Sequence, residues 1–62
     1  MSNQDLQTML ESFEDAAIQS IEDSETFGTE GNKELQDVAL RSAQTYATLA
    51  VMLQNKIARG NR

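Results

Sequence analysis

The chain reads as all-α: two amphipathic helices folded into an antiparallel hairpin. Three observations carry this reading. Apolar residues recur at steps of three and four through both halves. The 62 residues contain no proline that would break either half. The only loop-like stretch away from the ends is Phe27-Gly28-Thr29-Glu30-Gly31-Asn32, which holds two of the three glycines. The whole of 1–62 is read as one domain, with helix 1 over about 3–25, a loop over 26–32 and helix 2 over about 33–59.

Helix 1 is predicted from Leu6, Met9, Leu10, Phe13, Ala16, Ala17, Ser20 and Ile21, which fall on one stripe of a 3.6-residue wheel. Ser2 with Asp5 fits a capping box, with an acid in place of the usual Glu or Gln. Glu11, Asp15 and Glu22 cover the opposite face, and Glu14 flanks the stripe.

Helix 2 is predicted from Leu35, Ala39, Ala43, Tyr46, Ala50, Leu53 and Ile57, with Asn32 as its N-cap. Leu40, Ala47, Val51 and Ala58 widen the stripe on one side, Val38 and Leu49 on the other. Asp37, Arg41, Gln44, Thr48, Asn55 and Arg59 form the polar back, where Arg41 is placed to pair with Asp37 one turn earlier. Lys56 and Arg59 suit the negative end of the helix dipole, and Gly60 can close the helix.

The two stripes differ in width. A helix packed on one neighbour needs an apolar arc of about 100°, and that of helix 2 is nearer 200°, so helix 1 covers only part of it. A chain this short also buries only about 60% of its unfolded surface, which makes its own core marginal. Without cysteine there is no disulfide to compensate, and without histidine no imidazole metal site. Self-association remains, most simply as a homodimer completing a four-helix bundle through Leu40, Ala43, Tyr46, Ala47, Ala50, Val51 and Leu53. The architecture resembles that of the Rop-like plasmid copy-number regulators, hairpins of similar length that dimerise into four-helix bundles. That resemblance implies RNA binding through a partly basic face of the first helix, whereas here the same face is acidic.

Charge is segregated along the chain. Residues 1–31 hold eight acids and no base, for a net −8, whereas 32–62 hold five bases and two acids, for a net +3. The overall −5 argues against direct binding of nucleic-acid phosphates and against anionic membranes. No apolar run approaches the ~18 residues of a membrane span, and Asp5 stands where a secretion signal would be basic. The expectation is a soluble, cytoplasmic protein.

Two carboxylate patterns suggest metal chemistry. The twelve residues Asp23–Glu34 resemble an EF-hand calcium loop, with Asp23, Glu25, Gly28 and Glu34 at loop positions 1, 3, 6 and 12. Phe27 stands where the fifth position requires an oxygen ligand, Glu30 where the eighth is normally aliphatic, and Glu22 where the entering helix should be apolar. A solvated acidic turn is the competing reading. Glu11-x-x-Glu14 followed by Glu34-x-x-Asp37 resembles the paired-helix acids of the all-α nucleotide pyrophosphohydrolases (MazG-like), which hold magnesium at a triphosphate. On the predicted wheel, Glu34 and Asp37 fall on the polar back of helix 2, away from helix 1. Ser12, Ser20, Ser24 and Ser42 have no histidine to activate them.

The function expected from these residues is non-enzymatic, with no cofactor and no metal. The chain is read as a small adaptor or inhibitor, of a kind that suits a phage- or plasmid-encoded regulator. Its acidic face, Glu11, Glu14, Asp15 and Glu22 with Ile18 as apolar anchor, is expected to take a protein with a basic surface. The alternative is an oligomer that binds a nucleotide or other anion through Arg41, Tyr46, Lys56 and Arg59. A metal-dependent pyrophosphohydrolase-like enzyme comes third.

Overall fold

The computed structural model describes residues 3–60 as two α-helices, α1 (Asn3–Thr29) and α2 (Lys33–Gly60), packed against each other as a hairpin. The rod measures 48 × 14 × 12 Å. Its radius of gyration is 14.2 Å, against about 11 Å for a compact chain of this length. Ser2, the proposed cap of α1, lies outside the described residues.

The contact between the helices is a seam with a seven-residue repeat. On α1 it runs through Leu6, Leu10, Phe13, Ala17, Ser20, Ser24 and Phe27, and on α2 through Gln36, Ala39, Ala43, Tyr46, Ala50, Leu53 and Ile57, all of them buried or half-buried. Alternating steps of four and three keep each seam facing the partner helix, the geometry of coiled-coil packing. Phe13 and Tyr46 stack across it, with ring centroids 6.4 Å apart and planes inclined by 29°. Between Phe13 and Phe27 the α1 seam holds only Ala17, Ser20 and Ser24, and the most buried α2 residues are Ala39, Ala43 and Ala50.

The turn is tighter than the sequence suggests. The expected end of helix 1 near residue 25 is corrected to Thr29, so Gly28 is helical and only 30–32 connect the helices. The Gly31 amide donates to the Gly28 carbonyl at 3.1 Å and the Asn32 amide to the Phe27 carbonyl at 2.9 Å, the paired bonds of a Schellman motif. Gly31 supplies the left-handed residue that motif requires, at φ 77°. Asn32 then caps α2, its side-chain oxygen accepting from the Leu35 amide at 3.2 Å.

The two glycines are therefore expected to respond oppositely to alanine. A Cβ at Gly31 meets no atom within 4 Å but is strained at that positive φ, so Gly31→Ala should lose about 1 kcal/mol. A Cβ at Gly28 would lie 2.5 Å from Gln36 Nε2, the mobile end of a long side chain that can swing aside. The helix propensity gained there, about 1 kcal/mol, should outweigh that displacement and leave Gly28→Ala slightly stabilised. Urea unfolding of the two variants side by side checks both signs.

Candidate functional site

The single hairpin leaves much of its apolar surface in water. Met9, Ile18, Ile21, Leu35, Val38, Leu40, Leu49, Val51 and Met52 are each more than a third exposed. The accessible surface is 4686 Å², against about 4,000 Å² for a compact monomer of this length, an excess of about 700 Å².

These residues divide between the two sides of the seam. In an antiparallel helix pair like flanks face each other, so the residues just past each seam fall on common sides. Ile18 and Ile21 of α1 share one side with Leu40, Ala47 and Val51 of α2. Met9 and Ala16 share the other with Leu35, Ser42, Leu49 and Lys56. An open groove lined by Met9 and Phe13 together with Leu49, Met52, Leu53, Lys56 and Arg59 fits this assignment.

The structure splits the seven residues expected at an oligomer interface. Ala43 and Ala50 are buried, and Tyr46 and Leu53 half-buried, within the seam. Leu40, Ala47 and Val51 are exposed and open to a partner. Ile18 is exposed, as expected, but it does not stand alone among acids: Ile21, three residues on, continues its apolar surface. Glu11, Glu14, Asp15 and Glu22 are all exposed on α1, and no cation pairs with any of them among the described residues.

Of the alternative anion-binding set, Arg41 and Tyr46 line one shallow recess with Val38, Ser42 and Thr45, whereas Lys56 and Arg59 line the groove at the open end. Fifteen residues of helix, about 22 Å, separate Arg41 from Lys56, so one chain does not gather all four. The expected pair does form: Arg41 Nη2 lies 2.8 Å from Asp37 Oδ2. Both side chains are well exposed, so the pair contributes only about 0.3–0.5 kcal/mol.

Neither carboxylate pattern assembles. Asp23–Thr29 is helical, so the segment compared with a calcium loop is not a loop over its first seven positions. Glu34 sits in the first turn of α2 beside the connection, while Glu14 lies about 22 Å back along α1. Among the described residues no three acids gather as a metal site would require. No described helix is long and apolar enough to cross a membrane.

Ser24 is the residue that the wheel of helix 1 omits. It is the most buried polar side chain, and its hydroxyl donates to the Ile21 carbonyl at 2.6 Å. That local bond satisfies it without a partner from α2. Its signal was the seven-residue spacing Leu10, Ala17, Ser24. Comparison of the chain with protein-family models, with curated proteins and with solved structures finds no match in any of the three.

Proposed function

We propose that the chain is a non-enzymatic association module. Two copies complete a four-helix bundle, and the acidic back of α1 engages a basic surface of another protein, as an adaptor or inhibitor would. The observation that carries the reading is the apolar surface a single hairpin leaves exposed on both flanks of its seam. The excess of about 700 Å² over a compact monomer is close to the ~800 Å² each partner contributes to a standard interface. Self-association through an apolar flank leaves Asp15 and Glu22 on the back of α1 facing water with unpaired charge, which steers a cationic partner.

Light scattering over a dilution series, with helicity followed in parallel, tests the first half of this reading and should give twice the chain mass. A Lys/Arg-rich peptide serves as probe for the second half. The double variant Asp15→Lys, Glu22→Lys, on the back of α1, should lose the peptide and keep the dimer mass. A variant that falls apart would show that the acids serve the assembly rather than a partner, and a wild-type chain that ignores the peptide would remove the partner face.

A further inference from the structure

Resting on the dimer reading, we infer that the second copy docks on the Ile18, Ile21, Leu40, Ala47 and Val51 side, with the turns of both hairpins at the same end of the bundle. The choice of side follows from continuity. Ile21 and Leu40 are near neighbours along the rod, and Ile18, Ala47 and Val51 continue the same strip toward the middle. The opposite side is broken at its centre. There Leu35 and Val38 near the turn are separated from Met9 and Leu49 by Ser42, Thr45 and the Arg41 recess. An interface is closed best where its centre is apolar and its rim polar. On the chosen side Gln44, Thr48 and Gln54, with Asp37 paired to Arg41 nearer the turn, supply a polar rim on α2, and Glu11, Glu14 and Glu25 an acidic rim on α1.

The arrangement follows from charge. Two twofold packings join this side to itself. With the axis along the bundle, both turns lie at one end and each α1 packs beside the other copy's α2. With the axis across the bundle, the turns lie at opposite ends and α1 packs on α1. Between Asn3 and Thr29, α1 carries seven acids and no base. Between Lys33 and Gly60, α2 carries four bases and two acids. Packing α1 on α1 sets seven negative charges against seven, including the rim acids Glu11, Glu14 and Glu25 of both copies. The same-end packing places the two acidic helices on a diagonal and gives each of them a net positive neighbour. Like-charge juxtaposition selects against the first packing and opposite charge favours the second.

The chain has no cysteine, so Glu30→Cys at the exposed turn gives a single attachment point for a spin label. Same-end packing predicts a label-to-label distance under about 25 Å, set by neighbouring helices 8–10 Å apart. Opposite-end packing predicts about 40 Å or more, the length of the helices. Val51→Lys and Val38→Lys are matched, since those residues are 54% and 56% exposed in the single hairpin. Val51→Lys should weaken the dimer roughly tenfold or more and Val38→Lys should not, with helicity of each confirming the hairpin. A dimer with the long distance overturns the same-end arrangement and leaves the dimer itself standing. A dimer broken by Val38→Lys and not by Val51→Lys overturns the choice of side. A monomer at every concentration overturns this inference together with the reading it rests on.

Discussion

Leu10→Ala is expected to lower stability by about 2–4 kcal/mol, the range for truncating a leucine in a packed core. Leu10 is 6% exposed and one of two leucines in the buried seam of α1. At about 0.05–0.15 kcal/mol per residue, a chain of this length holds only about 3–9 kcal/mol in all, so the loss should approach global unfolding. Circular dichroism during urea titration reads it as a midpoint shifted far toward zero denaturant. Truncation of Met52, which is 62% exposed, is the matched control and should stay within about 0.5 kcal/mol. Equal effects at the two positions would mean that the seam is not where this fold holds its energy.

The second large effect comes from adding volume. Ala43 is 7% exposed and faces the stretch of α1 where Ala17, Ser20 and Ser24 replace larger side chains. Helices that meet through such residues have no room for a branched four-carbon side chain, and overpacking of this kind costs about 1–3 kcal/mol. Ala43→Leu should therefore lower the melting temperature and prise the helices apart. Ala47→Leu adds the same atoms one turn away at an exposed position and should leave the hairpin intact. The two variants differ only in which side of α2 receives the methyl groups, so their difference isolates the tightness of the contact.

Periodicity alone carried most of the fold. The α2 seam Ala39, Ala43, Tyr46, Ala50, Leu53, Ile57 is the centre of the stripe read from the sequence except for Leu35, which is exposed and gives its seam place to Gln36. The cap at Asn32 forms as expected. The end of α1 was less legible because Thr26, Gly28 and Thr29 are poor helix formers taken one by one. The Schellman bonds from Asn32 back to Phe27 and from Gly31 back to Gly28 hold that turn helical against its propensity. Ser24 escaped because its polarity hides a seam position whose hydroxyl is satisfied within its own helix. At the candidate site, the acidic back of α1 is plain from composition. That Ile18 and Ile21 share a side with Leu40 and Val51 needs the antiparallel register, which no single-helix wheel contains. The same register pulls Glu11 and Glu14 away from Glu34 and Asp37, although their spacings along the chain look alike.

The uneven seam matches its distance from the turn. Near the connection the two helices are tethered by three residues, so each finds the other at high effective concentration and little packing energy is needed to hold them together. Apart from Phe27 and Gln36 beside the turn, that half of the seam is closed by alanines and serines. Toward the open end the tether grows long and the entropy of separation rises, and there the seam turns to Leu6, Leu10, Phe13, Tyr46, Leu53 and Ile57. The hairpin is thus a zipper whose teeth grow with distance from its stop. A chain cut at Gly31 would separate first where its contacts are smallest, the half that relies on being covalently joined.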